Sequence, residues 1–571
     1  MKVSDYIVNF LIEKGVTDVF GIPGGVVLDF LDSIGKRSGE ITARLNYNEQ
    51  ASALAACGYA QASGKLAVAY ATRGPGITNM ITGIANSFCD SLPVFFITAH
   101  SHKETLSGIR IEENQEFNTV KMLSTLTKYA VNIEQIDDVC YELEKSYHLA
   151  LDGRPGPVFI DFLTSVLKSN ITPEFQRTFI KSESIFDEFS SNKAIIDCIK
   201  QELSKSKRPI ILIGDGIKLS ETTEYIKVIA HKWNIPVLSS RYAQDIIPDF
   251  ENYYGYIGSH ATRYSNFILS KCDLIISLGN RLMFKPNSKS FGVITDRAKI
   301  IRIEVDKNEF LREIPNSICF ISDLKRIMPV LADISFEWQG NTDWKFLCKN
   351  IKNTLLNYDT GFPVGIISEI IKNTERQAIL TSDVGNNEFW LSIAYAFSGV
   401  SNRVLYSKSF EVLGCSLPKA IGAYYSTKSR IFCFTGDQGL QMNIQELQFI
   451  IKENLPISII LLNNIKSGMI YDEQKKYFSS RFLCTTNTDG YSVPDFEKIA
   501  NAYGIKYFRY NNNINEILLV FNNNANEPVF FEIQIKENDY EIPYLPIGYA
   551  MQNLVPEIDI DIYKKLENNE K

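Results

Sequence analysis

The chain has little that would send it out of the cytosol or onto a nucleic acid. Its ten cysteines form no CxxC pair, and Cys57, Cys272 and Cys433 fall in apolar runs, which reads as reduced core thiols and not as a metal or dithiol motif. No stretch stays apolar long enough to cross a bilayer, and Met1 leads into an amphipathic segment without a signal-type apolar region. The expectation is a cytoplasmic protein that does not enter a membrane. No block of lysine and arginine occurs, and the formal net charge is −7, the wrong sign for a nucleic-acid footprint. Histidines number five, and two of them, His100 and His102, sit together.

Core material is ample. The 571 residues are 45% hydrophobic and 22% charged, ordinary for a soluble globular protein, and one domain per about 100–200 residues gives about three or four. Short apolar runs alternate with helical segments. The fold class expected is α/β, with three domains that each hold a mainly parallel sheet flanked by helices. Polar, irregular joins place the first domain at 1–168, a linker at 169–193, a central domain at 194–335, a second linker at 336–358 and a third domain at 359–545. A Pro-rich tail, 546–571, is expected to fold over an active-site mouth and to end frayed.

Within the third domain, IFCFT (Ile431 to Thr435) reads as a buried strand that ends at Gly436, Asp437, Gln438 and Gly439, where a helix starts. Exposed N–H groups at such a junction attract phosphate, and Asp437 adds a hard oxygen ligand of the kind Mg²⁺ takes. An amphipathic helix (Asn443 to Lys452) and a second strand (Ile457 to Leu462) then deliver Asn463 and Asn464 to the same sheet edge. Taken alone, this pattern fits an ordinary βαβ unit equally well. In the first domain, the turn FGIPGG holds Pro23 and Gly24 free of bulk, and a small-residue helix begins near Asn48 and Glu49. That helix fits close packing in a core or at an interface.

These stretches together resemble the thiamin diphosphate (ThDP) enzymes, and in detail the acetohydroxyacid (acetolactate) synthase group. The resemblance rests on GDQGLQMNIQEL followed by LLNNIKSGM, and on FGIPGG, NEQASALAACGYAQASGK and ATRGPGITNMITGIANSFCDSLPVFFIT, and it covers roughly Val3 to Ile535. It implies an aminopyrimidine domain first and a diphosphate domain last. Mg²⁺ would be bound by Asp437, the side chain of Asn464 and the backbone oxygen of Lys466. Further cofactor contacts would come from Pro23, Gly24, Asn79, Asn386, Asn387, Glu411, Leu413, Gly436, Gln438, Gly439, Gly468 and Met469. Leu413 falls on the apolar wedge beneath the bent cofactor. Glu49 falls on the activating glutamate, which hydrogen-bonds the pyrimidine N1′ so that the 4′-nitrogen can take the proton from C2. Gln438 stands where a second glycine is usual, which its backbone tolerates only at negative φ or under strain.

The resemblance also implies substrate contacts. Gln115, Lys128 and Glu473 are its candidates, Lys128 near a substrate entrance and Glu473 in place of a tryptophan that shapes the second-substrate site; His100 and His102, where the chain departs from the family, are candidates by their place beside a strand end at the expected site, and fit a polar loop of solvated histidines equally well. In the central domain the resemblance suggests FAD, bordered by Gly214, His260, Arg281, Asp306 and Asp323, although GDGIKL lacks the third glycine of a dinucleotide fingerprint. The function implied is decarboxylation of a 2-oxo acid, pyruvate by preference, and transfer of the two-carbon unit to a carbonyl acceptor. Similarity to synthase-like proteins of surface-sugar pathways suggests a keto-sugar nucleotide as acceptor. A simple 2-oxo acid decarboxylase and a non-catalytic cofactor-binding homologue are the alternatives. A homodimer or homotetramer with active sites between subunits is implied.

Overall fold

A computed structural model describes residues 1–101, 114–115, 117–180, 189–283, 294, 296–334, 338, 342–536 and 542–568. His102 therefore lies outside the described residues. The chain forms two compact units. One comprises Met1–Lys181, Gln377–Glu388 and Arg403–Ile535, and the other Ser182–Arg376, Phe389–Asn402 and Lys536–Lys571.

Three six-stranded sheets carry the fold, and the strand pairs within them are parallel. The first is built from β1 (Asp18–Gly21), β2 (Thr42–Leu45), β3 (Ala67–Tyr70), β4 (Val94–His100), β5 (Tyr129–Ile133) and β6 (Val158–Leu163), in the order β2-β1-β3-β4-β6-β5. The second is built from β7 (Pro209–Ile213), β8 (Val237–Ser240), β9 (Tyr253–Ile257), β10 (Leu274–Leu278), β11 (Lys299–Glu304) and β12 (Ser317–Ile321), ordered β12-β11-β10-β7-β8-β9. The third holds β13 (Ile379–Ser382), β14 (Arg403–Leu405), β15 (Ile431–Gly436), β16 (Ile457–Asn463), β17 (Lys506–Arg509) and β18 (Val529–Gln534), ordered β14-β13-β15-β16-β18-β17. Strands buried on both faces, such as IFCFTG and ISIILLN, read as continuous apolar runs because helices cover both sides.

The first and third sheets, both in the first unit, share one topology. In each, the second strand lies on one side of the first and the third strand on the other, so the winding reverses between β1 and β3 and again between β13 and β15. Ligands of open parallel sheets bind outside the carboxyl ends at such a reversal. The turn Gly21 to Gly25 follows β1, Asp383 to Asn387 follow β13, and Gly436 to Gly439 end β15.

The two sheets are joined through the helix Glu49–Ser63, which packs against the helix Ser416–Thr427 at backbone contact. A Cβ on Gly58 would lie 2.3 Å from the Lys419 carbonyl oxygen, and one on Gly422 would lie 1.8 Å from that of Ala55. This close approach is why the helix is made of small residues. Of the expected helix Asn443 to Lys452, the first turn is 3₁₀, Ile444–Glu446, and the rest is a helix, Leu447–Lys452, while a separate six-residue helix, Asp437–Met442, precedes it. The break falls at Asn443, whose side-chain amide donates to the Gly414 carbonyl at 2.8 Å and so ties the turn to another loop.

In the second unit, the tail is described as far as residue 568. It carries a helix, Ile560–Glu567, and docks on the helix Arg263–Lys271. Arg263 donates to the carbonyls of Leu554 and Pro556, and Asn266 to that of Met551.

Candidate active site

Asp437 is the hub at the carboxyl edge of the third sheet. It is 2% exposed, and its Oδ1 accepts from the Tyr491 hydroxyl and the Gln438 N–H, both at 2.8 Å. Burial pushes its carboxyl up to about 6. The opposing influences are the Tyr491 hydroxyl and then the backbone N–H groups of Gln438, in the helix that Asp437 opens, and of Ile465 and Lys466, in the loop after β16. Its Oδ2 is buried without a hydrogen-bond partner. A buried carboxylate oxygen left bare in this way is costly unless something cationic sits against it.

Polar amides gather at the same sheet edge. A Cβ at Gly468 would lie 2.4 Å from Asn464 Nδ2 and 3.0 Å from Asn386 Nδ2, so the glycine lets those two side chains meet at the start of the helix Gly468–Tyr477. Asn386 also donates to Asp472 Oδ2 at 2.9 Å, and Asn387 donates to the Asp383 carbonyl and lies beside Gly436. Asn463, the other half of the Asn pair, is structural: it donates to Glu532 and accepts from the Ile465 N–H. Ile465 is held at φ +55°, a region that a β-branched residue enters only under constraint. Met469 is half-buried in the same helix, and Glu473 is exposed on it.

Gln438 causes no strain. It lies inside the helix Asp437–Met442 and is not among the residues of positive φ, so the helix itself removes the need for glycine. Because that helix has only six residues, its dipole is a weak attraction for phosphate, and the site's chemistry comes from its side chains. Gly439 is needed because a Cβ there would lie 2.7 Å from Asp383 Oδ2. Asp383 in turn accepts from the N–H groups of Gly414 and Val384 and from the Thr435 hydroxyl. Together with Asn443 it pins the loop of Glu411 (φ +53°, exposed) and half-buried Leu413 beside the Asp437 helix.

On the first sheet, Glu49 opens its helix directly after the cap Asn48, whose side chain accepts from the Gln50 N–H at 2.7 Å. Asn79 donates to Glu49 Oε2 at 3.0 Å, and Gly76 lies against Oε1. Gly24 is held against Thr72, where a Cβ would come within 2.4 Å of the threonine Cβ, and Pro23 beside it is exposed. Glu49, Asn79, Pro23 and Gly24 thus share the carboxyl edge of one sheet. Glu49 is only half-buried in the single chain, so the apolar setting that its expected task calls for is not complete within one copy.

The expected substrate residues divide. Gln115 packs its backbone against Gly74 at the same edge. His100 is 7% exposed and pairs through Nδ1 with Asp161 at 2.8 Å, while Asp161 also accepts from Thr119. It is a core histidine held by a carboxylate and not a solvated loop residue. Lys128 precedes β5 and so stands at the opposite, amino edge of the sheet, where its ammonium donates to the carbonyls of Asp152 and Arg154. The sheet itself separates Lys128 from the others.

The FAD candidates are each engaged within the chain. A Cβ at Gly214 would lie 2.1 Å from the Gly279 carbonyl oxygen, so this glycine serves the contact of two loops at the β7/β10 reversal. His260 stacks on Phe389 at 3.8 Å, Arg281 pairs with Glu309 at 2.8 Å, and Asp306 and Asp323 cap helical turns. Each of these residues thus already has a partner within the chain.

Sequence patterns pointed to the strand ends but passed over Tyr491, Asp383, Asp472 and Asp161. Asp383 and Asp161 carried a usable signal, a carboxylate in or just after an apolar strand. Tyr491 lies in an irregular stretch, and nothing local marks it.

Two reversal-point edges with a buried carboxylate and an amide cluster define a protein of the ThDP class. The chain matches the family models "Thiamine pyrophosphate enzyme, N-terminal TPP binding domain" over residues 1–122, "central domain" over 196–331 and "C-terminal TPP binding domain" over 383–533. It belongs to the thiamine pyrophosphate enzymes. Within them it is similar to acetolactate synthase large subunits. With that of Lactococcus lactis it is 29% identical, over 97% of this chain and 96% of the relative. With the isozyme 2 large subunit of Escherichia coli it is 26% identical, over 98% and 100%. With that of Haemophilus influenzae it is 28% identical, over 97% of both.

Proposed function

We propose that the protein decarboxylates a 2-oxo acid, pyruvate by preference, with ThDP and Mg²⁺, and transfers the two-carbon remainder to a carbonyl acceptor. The observation that carries this is Asp437 Oδ2, a buried carboxylate oxygen without a hydrogen-bond partner beside Asn464 and the Ile465–Lys466 loop. A hard cation that also binds diphosphate oxygens answers that vacancy, and Asp437, Asn464 and the Lys466 carbonyl would hold it. Among the described residues no cluster of three His, Cys, Asp or Glu side chains could hold a metal. When bound, thiamin diphosphate supplies the electron sink that lets the 2-oxo acid lose CO₂.

The residues of the chain then have assigned tasks. Glu49, oriented by Asn79, would hold a proton at the aminopyrimidine ring of the bound cofactor, and Leu413 would support that cofactor by apolar contact. Glu49 of one copy serves the diphosphate pocket of another, which completes the desolvation that one chain leaves unfinished. For the acceptor, Asp472 and Glu473 set two carboxylates in the middle of the helix Gly468–Tyr477. They offer acceptors for hydroxyls, which favours a keto-sugar nucleotide presented by its sugar.

The test is CO₂ release from pyruvate with ThDP and Mg²⁺, followed by a search for product with 2-oxo acids, aldehydes and keto-sugar nucleotides as acceptors. CO₂ release together with a ligated sugar is the expected result. Release with free acetaldehyde alone would leave a decarboxylase, and no release with any 2-oxo acid would reject the enzyme reading.

A further inference from the structure

One buried carboxylate has no part in the mechanism above. Glu446 closes the 3₁₀ turn Ile444–Glu446 and is 0% exposed. Its partners are far away in the chain: Oε2 accepts from the Asn46 side-chain amide at 2.8 Å and Oε1 from the Tyr47 N–H at 2.9 Å, and the Asn48 N–H also faces it. Three consecutive residues are thus gripped by one side chain, and the next residue is Glu49. Nearby, Arg44 at the end of β2 reaches Glu453 at 3.2 Å, so two carboxylates of the third domain hold this one connection.

The grip falls on the loop that leads into the helix Glu49–Ser63. The body of that helix is packed closely on the helix Ser416–Thr427, with Gly58 and Gly422 at the contact. Asn79 fixes the Glu49 carboxyl from the other side. The direction of the first turn is therefore set by the Asn46–Asn48 loop. A buried carboxylate is an expensive way to hold a loop unless all its acceptor sites are used, and here donors from all three residues face it.

We infer that Glu446 is a positioning residue for the reaction, a clamp by which the diphosphate domain fixes the loop before Glu49 and hence the angle at which Glu49 meets the aminopyrimidine ring. The inference rests on the assignment of Glu49 made above. Burial pushes the Glu446 carboxyl up to about 7 against the pull of those donors, as expected of a group kept for geometry at a cost in solvation. An uncharged side chain of the same shape can do the work. Asn46 Oδ1 is buried without a partner, so a turn of that amide would accept from a glutamine at 446.

The experiment compares Glu446→Leu, Glu446→Gln and Asn46→Ala with wild type and with Glu49→Gln. Two readouts are taken: C2 proton exchange of bound ThDP, and amide hydrogen exchange of a peptide spanning residues 44–50 in the cofactor-free protein. Glu446→Leu is expected to slow C2 exchange about 100-fold, the scale of a misplacement of about 1 Å, to deprotect Tyr47 and Asn48, and to leave ThDP affinity within about 3-fold. Glu446→Gln should restore both readouts. If Glu446→Leu does not fold, Asn46→Ala carries the same test, with slowing of about 10-fold expected. Wild-type C2 exchange in the folded variants overturns the clamp, and so does a loss that glutamine fails to rescue. If Glu49→Gln itself exchanges at the wild-type rate, the assignment of Glu49 falls and the inference falls with it. Normal loss in Glu49→Gln beside wild-type exchange in Glu446→Leu removes the inference alone.

Discussion

At the scale of residues, the tyrosine hydroxyl on Asp437 matters more than its place in an irregular stretch suggests. It holds Oδ1 at 2.8 Å and leaves Oδ2 as the oxygen proposed to face Mg²⁺, so Tyr491→Phe should weaken Mg²⁺ binding by about 10-fold, as loss of a partner behind a ligand usually does. A metal titration of cofactor binding checks this, and unchanged Mg²⁺ dependence would count against Asp437 as the ligand. Glu446 gives a prediction of opposite character, about stability. Its carboxyl is raised from 4.5 to about 7 by burial, so the folded state holds the proton more tightly than the unfolded one. Its contribution is complete below pH about 4.5 and is lost as pH climbs through about 7, a span of about 3 kcal/mol at most. Glu446→Gln cannot titrate. Its melting temperature relative to wild type should rise between pH 4.5 and pH 7.5, and a difference that stays flat across that window contradicts the burial argument. How legible these residues were follows from their surroundings. Asp437 and Glu49 stand at motif positions that local pattern exposes. Tyr491 and Glu446 acquire their roles only from partners tens to hundreds of residues away, which no window of sequence contains.

At the scale of elements, apolar runs marked the strands and small residues marked the helix Glu49–Ser63, because both patterns arise from what covers the element. The partner of that helix was not legible. Its contact with Ser416–Thr427 depends on glycines on both sides, and a Cβ at Gly422 would lie 1.8 Å from a backbone oxygen that no rotamer change can move. Gly422→Ala should therefore cost about 3 kcal/mol or more, seen as a fall in thermal midpoint or in soluble yield. Gly35→Ala is the control: it lies in the helix Leu28–Lys36 with nothing within 4 Å of an added Cβ. It should be neutral or stabilise by up to about 1 kcal/mol. Equal effects in the two variants would mean that the close approach of the helices is not what the glycines serve. The start of the expected helix Asn443 to Lys452 makes the converse point. Its first turn is 3₁₀, and the side chain of Asn443 is spent on the Gly414 carbonyl, a tertiary hydrogen bond that the local period does not show.

At the scale of the whole molecule, the first and third sheets repeat one topology and set a carboxylate at each reversal edge, Glu49 on one and Asp437 on the other. If each working site takes Glu49 from one copy and Asp437 from its partner, the two lesions Glu49→Gln and Asp437→Asn complement each other. A mixed dimer of the two variants holds one site with both lesions and one with neither. Random reassociation makes half the dimers mixed, so two inactive preparations, mixed and allowed to exchange subunits, should recover about a quarter of wild-type activity. Recovery should need subunit exchange and should vanish on dilution below the dissociation constant of the dimer. A site completed within one chain predicts no recovery at any mixing ratio, because every chain then carries a lesion in its own site. Glu446 sharpens the comparison. It joins the domain of Asp437 to the loop of Glu49 within one chain, so each copy would align the base it lends to its partner's pocket from the domain that binds its own cofactor. In the mixture, adding Glu446→Leu to the chain that keeps Glu49 should suppress the recovered activity, whereas adding it to the chain that already carries Glu49→Gln should leave that activity intact.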